Sequence, residues 1–191
     1  MILIIPIFLV FGYMIRVIKN TTEHNDSLPD FDNAGSMFID GVKYIALMII
    51  AYIIFLLATF SMVILLSILI ATLNEILAII VMMVMALIAI PLSIVSIMVY
   101  YIAIVHMAHT GKFSAAFKFG DIIQRIKNIG WIHLILWNLT LIIIVMIIII
   151  PFVIISMIPI LGFIIYCLIG IPIMYLFMCR SMGLIYNKGN I

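Results

Sequence analysis

Long apolar runs separated by a few polar breaks organise this chain. Apolar residues fill the stretches at about 2–18, 42–72, 76–106, 131–155 and 163–186. Each is at least ~17 residues, the lower limit for a helix that crosses a hydrocarbon core of about 30 Å. The pattern predicts an all-α, polytopic transmembrane helical bundle of about five spans, forming one integral membrane domain over residues 1–191. The breaks are a long polar stretch at 19–41, the Asn74-Glu75 turn, a mixed segment at 107–130 and an apolar hairpin at 156–162. The second and third spans are longer than the ~20 residues a crossing needs, so each is expected to tilt or protrude. Pro91, Gly170 and Pro172 are the expected bend points.

Two segments between the spans read as short interfacial amphipathic helices. In 113–129, Ser114, Lys118, Asp121, Arg125 and Asn128 follow one another at spacings of three and four, which places them on one narrow helical face. Phenylalanines and isoleucines cover the remaining circumference. Asp121 is spaced to pair with Lys118 and Arg125. In 19–41, Ser27-Leu28-Pro29-Asp30 reads as a turn, because Pro29 pushes Leu28 out of the helical region. Asp32 or Asn33 is the expected cap of a short helix that turns Met37, Phe38 and Val42 toward lipid.

Charge changes the picture from spans to topology. All nine Lys and Arg residues flank the first connection, lie in the third, or belong to the C-terminal end (Arg180 and Lys188). The second and fourth connections hold none. Basic residues near span ends are retained on the cytoplasmic side, so the expected arrangement in the cell membrane is N-terminus outside and C-terminus cytoplasmic. Three spans of about 20 residues would also fit 42–106 by length, but would place Lys43 and Lys112 on opposite sides. Tyr13, Tyr44, Tyr100, Tyr101, Trp131 and Tyr186 fall at the same ends, as an aromatic belt would. The apolar run begins at residue 1 without a positive n-region, unlike a secretory signal peptide. A first span opening at the outer surface and a start lying further upstream are both compatible with it.

Composition agrees. Hydrophobic residues make up 69% of the chain and charged residues 8%, against about 45–50% and about 25% in soluble domains. A net charge of +2 dispersed over span ends does not make a nucleic-acid stripe. The expected partner is the lipid bilayer, with room for a homo-oligomer or for association with other membrane proteins. Cys167 and Cys179 share one helix, roughly 18 Å apart at ~1.5 Å per residue, so they cannot bridge.

Helices in lipid associate by close packing at small residues. The third span carries Ala86, Ala89, Ser93, Ser96 and Ala103 on one face, interrupted by Tyr100. This seam is expected to place the helix centrally, with its neighbours closed upon it.

Candidate chemistry is sparse. No ionisable residue occupies the middle of an expected span, so the usual parts of a proton relay or charge-coordinating ion site are missing. His106 and His109 share a face and His133 opens the next span, but neither carboxylate nor thiolate is fixed beside them by spacing, and no metal site is expected. The acidic loop lacks the ligand order of a calcium loop. Asn20-Thr21-Thr22 and Asn138-Leu139-Thr140 match glycosylation sequons but lie on the inner side and within a span. Without a phosphate-binding glycine loop or a nucleophile elbow, neither enzymatic activity nor a cofactor is expected. A structural or accessory role leads. A transporter or channel component for a neutral or apolar solute is the alternative, because broken helices can bind through backbone carbonyls.

One set of residues is not forced by hydrophobicity. Gly12-Tyr13-Met14-Ile15-Arg16 closes the first span, and Leu28-Pro29-Asp30-Phe31-Asp32-Asn33 follows. Phe38-Ile39-Asp40-Gly41-Val42-Lys43 leads into the second span, and Gly111-Lys112-Phe113-Ser114-Ala115-Ala116-Phe117 comes downstream. With these the chain resembles, over nearly its whole length, the prokaryotic membrane family called domain of unknown function 4013. The resemblance implies an integral membrane protein and says nothing of a substrate.

Overall fold

A computed structural model describes residues 4–25, 27–158 and 161–190. Among them the chain is helical, with no strand. In order come α1 (Ile4–Thr22), α2 (Ala34–Thr72), α3 (Glu75–Thr110), a 3-10 turn (Phe113–Phe117), α4 (Phe119–Ile129), α5 (Trp131–Ser156), α6 (Leu161–Ile165), a π-turn (Tyr166–Gly170) and α7 (Ile171–Asn187). Four helical stretches are long and apolar enough to cross a membrane: Ala34–Thr72, Glu75–Thr110, Trp131–Ile155 and Gly162–Asn187. The expected first span corresponds to α1, a helix of 19 residues packed against α2, α3 and α7.

Several boundaries move for identifiable reasons. The expected interfacial helix at the end of the polar loop does not stand alone, since α2 begins at Ala34 and runs unbroken to Thr72. Its N-cap, Asn33, sits in the left-handed region at φ 58° and makes no side-chain cap bond. Met37 does not face lipid. It is buried against α1 beside Gly12, where an added Cβ would land on the Met37 carbonyl. The Asn74 side chain accepts from Leu77 N at 2.9 Å and so starts α3 directly after the hairpin turn. α3 continues through Pro91. Pro172 follows the π-turn, whose widened winding accommodates a residue with no N–H to give. Pro159 of the expected outer hairpin lies outside the described residues.

The expected helix over 113–129 divides at Lys118, whose backbone leaves the helical region at φ −80°, ψ 72°. Before the break Phe113 and Phe117 meet edge to face at 5.3 Å, and Ala115 and Ala116 are buried against α3. Ser114 therefore stands on a different element from Asp121, Arg125 and Asn128, and the five residues do not form one helical face.

The packed core lies at one end of the bundle. Met14, Ile15, Val17 and Ile18 of α1 meet Ile102, Ile104, Val105 and Met107 of α3, Ile122 and Ile126 of α4, and Met182 and Tyr186 of α7. The other end of the α2–α3 hairpin is open. From Tyr52 to Leu69 and from Ile76 to Ile97 nearly every side chain is exposed within the chain. This changes the expectation for the small-residue seam. Ala103 is buried, Ala89 and Ser93 are half-buried, and Ala86 and Ser96 are exposed. Within one chain the seam is closed at its Ala103 end, partly covered at Ala89 and Ser93, and open at Ala86 and Ser96.

Candidate functional site

The closed end is also where polar side chains gather. Three helices finish there with polar residues in their last turns: Thr21 and Thr22 on α1, His106 and His109 on α3, Tyr186 and Asn187 on α7. α4 runs beneath them and contributes Asp121 and Arg125. A helix leaves its last carbonyls without partners, so side chains that reach across to a neighbour's end satisfy those groups and join the helices.

Tyr186 is the centre of this arrangement and is fully buried. Its hydroxyl lies 2.7 Å from His106 Nδ1. Nε2 of the same ring faces the Asp121 carboxylate at 4.0 Å. A proton on Nε2 therefore points at the carboxylate and leaves Nδ1 to accept the Tyr186 O–H. The Arg125 guanidinium stacks over the Tyr186 ring, 4.0 Å from its centroid, and donates to the Gly189 carbonyl at 3.0 Å. Gly189 is required by proximity, since a Cβ there would stand 2.8 Å from Arg125 Cδ.

The α1 edge is tied in the same way. Thr22 Oγ1 lies 3.1 Å from His109 Nδ1, and Asn187 Nδ2 donates to the Thr21 carbonyl at 2.9 Å. Gly183 allows this approach, because a Cβ would come within 2.7 Å of the Thr21 side chain. The Asn187 Oδ1 atom is buried and accepts from no donor among the described residues. One turn away, Trp137 Nε1 donates to Ser181 Oγ at 2.7 Å and fastens α5 to α7.

A second polar knot secures the loop. Arg16 donates to the carbonyls of Asp30 (3.2 Å), Asp32 (2.6 Å) and Asn33 (3.0 Å), and to Ser36 Oγ (2.7 Å). The planar fork suits several acceptors converging from one turn. Tyr13 and Phe31 stack above it, with centroids 4.6 Å apart and planes 4° from parallel. The α1–α2 crossing is made by Gly12 and Gly41, whose backbones are so close that no side chain fits on either.

The residues expected on the interfacial polar face are partly drawn into this site. Asp121 meets Lys118 at 3.8 Å as well as His106, and Arg125 turns to Tyr186 and Gly189. Ser114, Lys118 and Asn128 are exposed. Tyr186 leaves the expected aromatic belt, because its ring is enclosed rather than at a lipid boundary. Sequence reasoning weighed Thr21 and Thr22 only as part of a glycosylation sequon and passed over Asn187. The available signal was the coincidence of polar residues in the last turns of three spans that end on the same side. His133 is exposed at the start of α5 and does not join the cluster. Among the described residues no group of three or more His, Cys, Asp or Glu is arranged to hold a metal ion.

Chemically, the cluster holds two imidazoles, one phenol, one guanidinium and one carboxylate, linked through Tyr186 and His106. Each of their contacts joins one element to another. The class this defines is a polytopic helical membrane bundle closed by polar contacts at its basic end. The chain belongs to the family described as protein of unknown function (DUF4013), which matches residues 1–160. The two glycines of the α1–α2 crossing, Tyr13, Arg16 and the loop that Arg16 gathers all lie within that match. No curated protein and no solved structure matches the chain.

Proposed function

We propose that this protein is a non-catalytic, structural or accessory component of the cell membrane, with its basic end cytoplasmic. The observation that carries the reading is the contact pattern of the polar cluster: His106, His109, Arg125, Tyr186 and Asn187 engage residues of other elements and thereby fix the ends of α1, α3, α4 and α7 to one another. Such a plate holds helices in place and leaves the α2–α3 hairpin projecting into lipid. The cytoplasmic placement of the plate is supported by the position of every Lys and Arg beside it.

Transport of a neutral solute is the second reading, favoured by the π-turn Tyr166–Gly170 directly ahead of Pro172 in the last span. Interruptions of this kind expose backbone carbonyls within a membrane helix. Flux of a broad panel of neutral and apolar solutes into vesicles carrying the purified protein separates the two. The accessory reading expects rates equal to those of empty vesicles. A solute whose uptake rises in proportion to protein would establish the transport reading instead.

A further inference from the structure

A cleft of about 340 Å³ opens sideways between α2 and α3, just above the closed end. Leu47, Ala51 and Phe55 form one wall, Ser96 and Tyr100 the other, and Phe117 of the 3-10 turn the floor. Small residues, Ala51 and Ser96, line the gap from the two helices and leave it unfilled. Its lining is almost wholly apolar and it lies within two membrane-crossing helices, so it offers a hydrocarbon chain a surface and offers water few partners. On the order of eleven water volumes of ~30 Å³ would fill it, a space suited to a length of acyl chain.

The turn that forms the floor is flanked by basic residues, which we take as the rim of the cleft. Lys43 reaches from α2 to the Gly111 carbonyl at 3.3 Å, and Lys112 and Lys118 bracket the 3-10 turn. Two carboxylates stand against this group, Asp40 at 2.9 Å from Lys43 and Asp121 at 3.8 Å from Lys118. Lys112 is exposed and has no ion partner among the described residues. The rim therefore keeps a surplus of one positive charge. An apolar slot in the bilayer that ends at a cationic rim has the two-part chemistry of an anionic phospholipid.

We propose that this cleft binds one anionic phospholipid, with an acyl chain between Ala51 and Ser96 and its phosphodiester headgroup at Lys112 and Lys118. The ammonium groups favour an acidic headgroup over a zwitterionic one, and the small wall residues admit the chain.

The test is native mass spectrometry of the purified full chain. The protein is equilibrated in detergent with an equimolar mixture of phosphatidylglycerol and phosphatidylcholine of identical chains. Wild type is expected to retain phosphatidylglycerol over phosphatidylcholine by roughly five-fold, the factor that about one surface lysine contributes. Lys112→Gln, which removes the surplus charge and leaves the Lys118–Asp121 pair in place, should equalise the two lipids without releasing them. Ala51→Phe with Ser96→Phe should release both, and Ser96→Phe alone, at an exposed position, should release part of them in a chain that melts like wild type. Equal retention by wild type and the phenylalanine variants would overturn the proposal. So would wild type that carries no lipid, or that shows no headgroup preference. A dimer that Ser96→Phe dissociates would assign the cleft to a second copy of the chain and overturn it equally.

Discussion

Gly12 and Gly41 touch backbone to backbone: a Cβ built on Gly41 would stand 3.1 Å from the Gly12 amide nitrogen and would overlap the Phe8 carbonyl. Alanine at either position forces α1 away from α2. Overpacking of this kind costs about 1–3 kcal/mol, and Gly12→Ala and Gly41→Ala should each melt earlier than wild type in detergent. Gly35 has open space around its Cα, so Gly35→Ala should be neutral or stabilising by up to about 1 kcal/mol through helix propensity. Equal melting of all three variants would refute the crossing.

Tyr186→Phe removes the hydroxyl that meets His106 Nδ1 and keeps the ring beneath Arg125. The lost hydrogen bond should lower stability by about 0.5–1.5 kcal/mol. Tyr186→Ala also empties a fully buried site and should lower it by about 3–5 kcal/mol. Chemical or thermal unfolding in one detergent orders the three proteins. Indistinguishable wild type and phenylalanine variants would remove the hydroxyl from the clamp.

Arg16→Lys keeps the charge but cannot hold four acceptors with a planar fork. Amide hydrogen exchange over residues 33–37 should speed up in Arg16→Lys and further in Arg16→Ala, while exchange in α5 stays unchanged. Protection equal to wild type in both variants would show that the loop is held by other contacts.

The seam on α3 makes opposite forecasts at its two ends. Leucine at Ala103, which is buried, should destabilise by about 1–3 kcal/mol. Leucine at Ala86, which is exposed, should shift stability by no more than about 0.5 kcal/mol in a monomer. If Ala86→Leu instead lowers both the melting temperature and the size of the particle in solution, the outer seam is an interface between copies.

Cysteine scanning reports the threading. With Cys167 and Cys179 replaced by alanine, Ser27→Cys should react with a membrane-impermeant maleimide only in inside-out vesicles. Ile158→Cys should react only in right-side-out cells. The converse pattern would invert the assignment of the basic end.

Much of the fold is legible in the sequence because lipid imposes so few solutions. An apolar run must be a helix, and its length and flanking charge set where it stops. That reasoning located α3 and α5 to within a few residues. It failed where backbone proximity or hydrogen bonding between helices decides. Met37 looked lipid-facing by period alone, and only the Gly12 crossing buries it. The 113–129 segment looked like one helix, and periodicity gave no sign of the backbone break at Lys118. Tyr186 looked like an interface anchor, since nothing local distinguishes a belt tyrosine from one enclosed by His106 and Arg125. For the small-residue line on α3, periodicity carries no information about how far a neighbour follows it.

The uncharged stretches of α2 and α3 each run about 30 residues, roughly 45 Å of helix at ~1.5 Å per residue, against a hydrocarbon layer near 30 Å. A hairpin pinned at only one end cannot shorten, so it leans or the surrounding leaflets stretch to meet it. The protein should consequently partition into the thickest regions of its membrane, and short-chain lipids should drive neighbouring copies together.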